Sequence, residues 1–179
     1  MKSFLLAVWE VLEVVIVAVA TVFVIRTFLI QPFLVSGASM DPTFSTGNYL
    51  IIDEVTYQFR EPKRGEVIVF KYPNNLSTYY IKRIIGLPGE KVVIQQGKVA
   101  IFNQEFPNGL ALQEDYLLPG RLTSGNLTKI LSNTEYFVLG DNRNYSYDSR
   151  SWGPLDEKYI IGIARLRLLP INKAQAFSY

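Results

Sequence analysis

The feature that most constrains this chain is a long apolar segment at its amino terminus. The segment Phe4–Ile25 is apolar apart from two glutamates and one threonine. A helix of about 22 residues is about 33 Å long, which is enough to cross a bilayer core of roughly 30 Å. We therefore predict a single N-terminal transmembrane helix and assign residues 1–30 to a membrane anchor.

Two other interpretations of this segment are open. A cleaved signal peptide is indicated by the small-x-small pattern Ala18-Val19-Ala20, but the apolar run continues to Ile25 and its positive end is a single Lys2. An interfacial helix would need a strongly basic polar face, which the segment lacks. Lys2 and Arg26 flank the segment almost symmetrically, so charge does not specify its orientation.

Residues 31–179 are typical of a β-rich catalytic domain. After Val35, short runs of β-branched and aromatic residues are separated by turn residues, which predicts a sandwich or a partly closed barrel. A hairpin is expected around Gln96-Gly97. The stretch at about 103–133 has weak patterning and is expected to be a small insertion. The predicted strands are Tyr49–Asp53, Glu66–Lys71, Tyr79–Ile85, Lys91–Gln95, Lys98–Phe102, Glu135–Leu139 and Ile160–Leu168.

Composition removes several classes of function. The net charge of +2 is too small to indicate nucleic-acid binding. The chain has no Cys and no His, which removes thiol nucleophiles, thiolate metal sites and the commonest general base. We expect neither a metal nor a cofactor. Oligomeric state is not specified by the sequence.

A serine with the setting of a nucleophile follows the apolar segment. Ser39 lies in Ser36–Thr43, where Gly37 and Pro42 favour a turn that exposes it. An activated serine needs a base. Because the chain contains no histidine, that base must be a lysine, a carboxylate or a metal-bound group.

Lys82 is the best candidate for the base. Strand alternation places it between Tyr80 and Ile84 on one face, with Arg83 on the other. An ordinary lysine, with a pKa near 10.4, is protonated at neutral pH, but desolvation lowers that pKa. The pattern alone leaves open a second interpretation, in which Lys82 is a solvated lysine on a surface strand.

A dense polar loop at Gly140–Pro154 is the third candidate region. Asp148 has Arg150 as a possible ion-pair partner, and Asp141 has Arg83, so that charge-assisted hydrogen bonds would fix the loop. The alternative is a solvated turn with ordinary surface ion pairs. Ser-x-x-Lys and Gly-x-Ser-x-Gly motifs are both absent from the sequence, which argues against β-lactamase and α/β-hydrolase chemistry.

Taken in order, these segments resemble one family. The chain is similar to the bacterial type I signal peptidases, and the resemblance runs from the apolar segment to about Pro170. The implied fold is a mainly β, signal-peptidase-like domain behind the N-terminal helix. The matching segments are Ser36–Thr43, Arg64–Phe70, Tyr80–Glu90 and Gly140–Gly153.

The resemblance implies a Ser–Lys dyad protease that works through an acyl-enzyme. Ser39 would be the nucleophile and Lys82 the general base. Ser146 would orient the Lys82 amine, while Asp148 and Arg150 would brace the loop.

The resemblance also implies surroundings for the dyad. Asp141 would pair with Arg83 next to the base, and the Ser39 N–H would hold the oxyanion. Some members of the family add a serine hydroxyl two residues before the nucleophile, and this chain has Gly37 there. A second donor is therefore not identified.

The substrates implied by the resemblance are preproteins that carry signal peptides. Small side chains at −1 and −3 would enter shallow apolar pockets, and the substrate strand would add to a sheet edge. The enzyme would contact the lipid bilayer as a single-pass protein of the plasma (inner) membrane, with its N-terminus cytoplasmic and its catalytic domain extracytoplasmic. The expected pocket residues are Phe33, Val35, Met40, Tyr80 and Ile81.

Two alternatives to this function are kept. An organellar inner-membrane signal peptidase would share the same chemistry. A catalytically silent, membrane-tethered β-domain could act as a binding module, although the joint presence of Ser39, Lys82 and Ser146 argues against it.

Overall fold

The N-terminal segment forms a helix. The computed structural model describes the backbone of residues 2–28 and 30–179 and the side chains of residues 8–22 and 31–179. Helix α1 is Lys2–Phe28. Within these described residues, no helix combines the length and the apolarity that crossing a bilayer requires. The predicted transmembrane helix is therefore not supported by the structure, and both ends of the predicted segment lie outside the described side chains.

The rest of the chain is mainly β, which confirms that part of the predicted fold class. Two further helices are short, α2 at Thr56–Phe59 and α3 at Ser149–Trp152. Three 3₁₀ turns lie at Arg143–Tyr145, Glu157–Tyr159 and Ile171–Lys173. The strands are β1 Ile30–Leu34, β2 Tyr49–Asp53, β3 Val67–Tyr72, β4 Asn75–Gly86, β5 Lys91–Gln95, β6 Lys98–Phe102, β7 Leu110–Ala111, β8 Leu127–Ile130, β9 Glu135–Leu139, β10 Leu155–Asp156, β11 Ile160–Leu169 and β12 Gln175–Ala176.

The larger sheet carries the residues of interest. Its strand order is β1-β2-β11-β3-β4-β9-β10, and β12 pairs with β11. The neighbouring strands of this sheet are antiparallel. Strand β4 is central, since it pairs with β3 along most of its length and with β9 only from Arg83 onward.

The smaller sheet has the order β7-β6-β5-β8. It contains the hairpin predicted around Gln96-Gly97, where both residues have positive φ. Strands β7 and β8 come from the stretch 103–133, so this stretch adds one edge strand to each side of the β5–β6 hairpin. The domain boundaries drawn from the sequence remain predictions.

Most strands lie where the hydrophobic pattern places them. Strands β2, β5, β6 and β9 have the predicted bounds, whereas β4 begins four residues earlier than predicted, at Asn75. Strand β1 was not predicted. It contains Pro32, which has no N–H to donate to a ladder and is restricted to edge strands, and β1 is an edge strand that pairs with β2.

Candidate active site

Lys82 is positioned by the backbone of β4. In the ladder with β3 it lies opposite Ile68. The next residue, Arg83, pairs with Leu139, the last residue of β9. Lys82 therefore lies where β9 ends and its chain departs into the polar loop.

Burial changes the chemistry of the Lys82 amine. The residue is 3% exposed. Desolvation lowers its pKa to about 8, against the opposing charges of Asp148 and Asp141, which raise it. Its Nζ also lies 5.2 Å from the centre of the Tyr80 ring. The neutral amine required of a base is therefore accessible close to neutral pH, and the interpretation of Lys82 as a solvated surface lysine is wrong.

Ser39 lies in the turn between β1 and β2. Behind it, Met40 and Phe44 form an isolated β-bridge and pack into the core. Gly37 adopts a φ of 107°, a conformation that glycine takes at little steric cost. The Thr46 hydroxyl closes the turn, since it accepts a hydrogen bond from the Gly37 N–H at 3.0 Å and donates one to the Gly37 carbonyl at 3.1 Å.

The two predicted catalytic side chains meet. Lys82 Nζ donates a hydrogen bond to Ser39 Oγ at 2.8 Å and another to the Ile81 carbonyl oxygen at 2.8 Å. Among the described residues, the Ser39 N–H has no hydrogen-bond partner. The site therefore presents a hydroxyl, an adjacent buried amine and an unused backbone donor at one point.

Asp141 joins the strand of the lysine to the turn of the serine. Its carboxylate accepts hydrogen bonds from Arg83 Nε at 2.8 Å and Arg83 Nη2 at 2.6 Å. It also accepts one from the Thr43 hydroxyl at 2.6 Å. The expected pairing of Asp141 with Arg83 is present, whereas the contact with Thr43 was not predicted.

Asp148 and Arg150 form an ion pair near the end of the loop in sequence, and Asp148 also binds the start of the loop at Gly140. Arg150 Nε and Nη2 each donate to the Asp148 carboxylate at 2.8 Å. The same carboxylate accepts from the Gly140 N–H at 3.1 Å and is fully buried. This expected ion pair is therefore present, and it fixes the start of the loop next to β9.

Ser146 lies beside the dyad without a hydrogen bond to it. Its Oγ is buried and has no hydrogen-bond partner in the described part of the chain. A Cβ on Gly140 would lie 2.2 Å from Ser146 Oγ and 2.4 Å from the Ser39 carbonyl oxygen. Both oxygens thus lie against Gly140, and the expected contact of Ser146 with the Lys82 amine is not made in this structure.

Hydrogen bonds that the sequence does not predict connect the loop to the serine turn and to the insertion. Asn142 Nδ2 donates to the Ala38 carbonyl at 3.0 Å, and the Asn142 N–H donates to the Ser39 carbonyl at 3.0 Å. Arg143, which is 1% exposed, donates to Glu114 and Thr123. The only signal in the sequence was the polar density of the loop, which does not identify partners 20 to 104 residues away.

The dyad opens into a cleft of about 330 Å³. Four of the five predicted pocket residues line it, namely Phe33, Val35, Tyr80 and Ile81. Met40 does not line this cleft among the described residues and instead packs in the core beneath, 1% exposed. Met40 is too deeply buried in the core to form a wall of the cleft.

Comparisons with known proteins give a consistent result. The model of the family described as signal peptidase, peptidase S26, matches residues 8–169. A signal peptidase I of Leptolyngbya laminosa is 38% identical over 156 residues, which cover 83% of this chain and 73% of that protein. A signal peptidase I of Bacillus licheniformis is 33% identical over 175 residues, 92% of this chain and 90% of that one.

Two further similarities extend the set. The chloroplastic thylakoidal processing peptidase 1 of Arabidopsis thaliana is 32% identical over 173 residues, which cover 90% of this chain and 48% of that protein. A crystal structure of a signal peptidase I from Enterococcus faecalis V583 is 31% identical and covers 58% of this chain and 97% of that chain, with a TM-score of 0.48.

Proposed function

Because the chain belongs to the signal peptidase family, peptidase S26, we propose that it is a serine endopeptidase that removes N-terminal signal peptides from exported preproteins. The observation that carries this proposal is the 2.8 Å contact between Lys82 Nζ and Ser39 Oγ. A buried amine with a pKa lowered to about 8 is suited to accept the proton of an attacking hydroxyl.

The first half of the reaction forms an ester. Ser39 Oγ attacks the scissile carbonyl carbon while neutral Lys82 takes its proton. The Ser39 N–H stabilises the negative oxygen of the tetrahedral intermediate. The C–N bond then breaks, and the Lys82 ammonium returns the proton to the departing amine, which becomes the new N-terminus of the mature protein.

The second half of the reaction hydrolyses that ester. Lys82, neutral again, takes a proton from a water molecule that attacks the acyl carbon. The C–Oγ bond breaks, and Ser39 recovers its proton from Lys82. The signal peptide leaves with a new carboxylate.

The sheet edges beside the dyad support an extended substrate. Strand β1 lies at one end of the large sheet, and the part of β4 before Arg83 pairs only with β3 within the described part of the chain. A peptide laid between these edges would add backbone hydrogen bonds, a known mode of peptide recognition. Phe33, Val35 and Ile81 would then contact the small side chains at −1 and −3.

Ser146 is assigned a positioning role. In the structure, Lys82 directs two hydrogen bonds to Ser39 Oγ and the Ile81 carbonyl oxygen. The Ser146 hydroxyl lies against Gly140, as does the Ser39 carbonyl oxygen, and we infer that it accepts from the amine during proton transfer. Ser146→Ala should lower kcat without lowering stability, since its hydroxyl makes no hydrogen bond now. An unchanged kcat would contradict this role.

Helix α1 is assigned to membrane attachment, with the domain that follows it on the extracytoplasmic side. The support is its surface, on which Trp9 is 66% exposed and Val19 is 64% exposed. The test is flotation of the full chain with vesicles of phosphatidylglycerol and phosphatidylethanolamine. The full chain should float, and the double variant Val15→Asp/Val19→Asp should not. Equal flotation would contradict the assignment.

The decisive test is cleavage of a preprotein with its signal peptide. Ser39→Ala and Lys82→Met should each lower the rate by at least about 10³-fold, with release of the signal peptide followed by mass spectrometry. Ser132→Ala and Lys98→Met, at two exposed positions that do not line the cleft, are matched controls that should retain wild-type rates. Full activity of either dyad variant would refute the Ser–Lys mechanism, whereas absence of cleavage by the wild type would leave the binding-module alternative.

A further inference from the structure

A side chain from the insertion is linked through Asn142 to the peptide bond that precedes the nucleophile. Arg121, which lies between β7 and β8, donates a hydrogen bond from Nη1 to Asn142 Oδ1. Asn142 Nδ2 then donates to the Ala38 carbonyl oxygen at 3.0 Å. Three segments that are distant in sequence therefore form one line of hydrogen bonds.

Each link in this line has a fixed direction. An arginine only donates, so the oxygen of the Asn142 amide faces Arg121. A carbonyl only accepts, so the nitrogen of that amide faces Ala38. The orientation of the Asn142 side chain thus follows from both partners, and its 8% exposure shows that it is held inside the protein.

The line ends at the group that the proposed mechanism uses. The carbonyl of Ala38 and the N–H of Ser39 belong to the same peptide unit. A donor that binds the carbonyl polarises that unit and makes its N–H a stronger donor, because hydrogen bonds in a chain reinforce one another. The Asp41 N–H also donates to this carbonyl, at 3.2 Å.

We propose that Arg121 is a positioning residue for the oxyanion donor. Acting through Asn142, its positive charge orients and polarises the Ala38–Ser39 peptide, so that the Ser39 N–H binds the developing oxyanion more strongly. This inference rests on the proposed function. It assigns a purpose to part of the 103–133 stretch, and it explains how a site with Gly37 in place of a hydroxyl donor strengthens the backbone donor that it has.

A measurement that needs no catalysis tests the polarisation. Ala38-Ser39 is the only Ala-Ser pair in the sequence, so labelling alanine with ¹³C at the carbonyl and serine with ¹⁵N gives a single HNCO cross-peak. In full-length Arg121→Met, the Ala38 carbonyl and Ser39 amide resonances should both move upfield. In Arg121→Lys, which keeps a charged donor, both resonances should lie close to their wild-type positions. An unmoved cross-peak in Arg121→Met would overturn the proposal.

Kinetic measurements distinguish a positioning role of Arg121 from a general loss of structure. Arg121→Met should lower kcat about three- to tenfold, with KM, the thermal midpoint and the pH midpoint of the rate unchanged. Lys98→Met, which removes an exposed charge from β6 of the smaller sheet, should change none of these. A loss confined to KM or to thermal stability would overturn the proposal. If the wild type cleaves no preprotein, the proposed function fails, while the cross-peak still decides on the polarisation.

Discussion

The two members of the dyad are held by different kinds of structure. Lys82 belongs to a central strand, where backbone pairing with β3 fixes its place and burial sets its pKa. Ser39 belongs to a turn that is held by the Thr46 hydroxyl at Gly37 and by the remote residue Asn142. The side chain of Asn142 binds the Ala38 carbonyl, and its backbone N–H binds the Ser39 carbonyl. The sheet fixes the position of the base, whereas contacts between separate parts of the chain fix the position of the nucleophile.

This difference determines which substitutions each member tolerates. A change on β4 acts on the base through desolvation, because the ladder keeps the position of Lys82. A change around the serine turn acts on the geometry of the nucleophile, because the Thr46 and Asn142 side chains make hydrogen bonds that hold the turn. One residue, Asp141, belongs to both regions, since it binds Arg83 on β4 and Thr43 in the turn.

Removing Asp141 should have the largest effect. Its partner Arg83 is 6% exposed, so Asp141→Ala leaves a buried guanidinium without its counter-charge. We expect the free energy of unfolding to fall by about 3–5 kcal/mol, with loss of cleavage because both members of the dyad lose a support. Urea unfolding followed by tryptophan fluorescence measures the change.

The control for Asp141 is an ion pair at the surface. Asp156 lies 3.5 Å from Lys158, whose side chain is 64% exposed. Asp156→Ala should lower the free energy of unfolding by less than about 1 kcal/mol and leave cleavage intact. Losses of equal size in the two variants would show that Asp141 does not link the two regions.

Lys82→Met sharpens the contrast between function and stability. The lowered pKa of Lys82, about 8 in the folded protein against an ordinary 10.5, means that its burial opposes folding at neutral pH. Methionine has a similar length and no charge, so the inactive variant should be more stable than the wild type by about 3 kcal/mol at pH 7. Denaturant unfolding of both proteins at pH 7 provides the comparison.

The pH dependence of stability tests whether desolvation of Lys82 causes this difference. Between pH 8 and 10.5 the unfolded chain binds more protons at Lys82 than the folded chain. The stability of the wild type should therefore rise relative to Lys82→Met across this window and stay level below it. A gap that does not narrow from pH 8 to 10 would contradict desolvation as the cause.

The rate of cleavage should follow the protonation of the same amine. Plotted against pH, kcat/KM should be half-maximal near pH 8 and fall about tenfold for each unit below it, because only neutral Lys82 accepts the Ser39 proton. Asp148 raises the pKa of Lys82, so in Asp148→Asn the midpoint should move to lower pH. A shift to higher pH would exclude the electrostatic coupling between Asp148 and Lys82.

The features that could be predicted from the sequence belong to the strand of Lys82 more than to the turn of Ser39. The alternation around Lys82 placed it correctly on a strand, and β2 and β5 have their predicted bounds, because local patterns determine these features. The contacts of the serine turn with remote residues were not predictable, since Asn142 reaches the turn, and Arg121 reaches Asn142, only through tertiary packing. Met40 illustrates the limit, because the family resemblance implied that it lines a pocket, whereas packing places it in the core.

The smallest expected effect tests the turn alone. Thr46→Val keeps the shape of the side chain but removes the hydroxyl that binds the N–H and the carbonyl of Gly37. Water replaces both hydrogen bonds at this exposed position, so the loss should be about 1 kcal/mol and kcat should fall about fivefold. Thr46→Ser, which keeps the hydroxyl, should retain the wild-type rate. Because Lys82 is held by the sheet, the pH midpoint should be the same in all three proteins, and a midpoint that moved with Thr46→Val would show that the turn also sets the base.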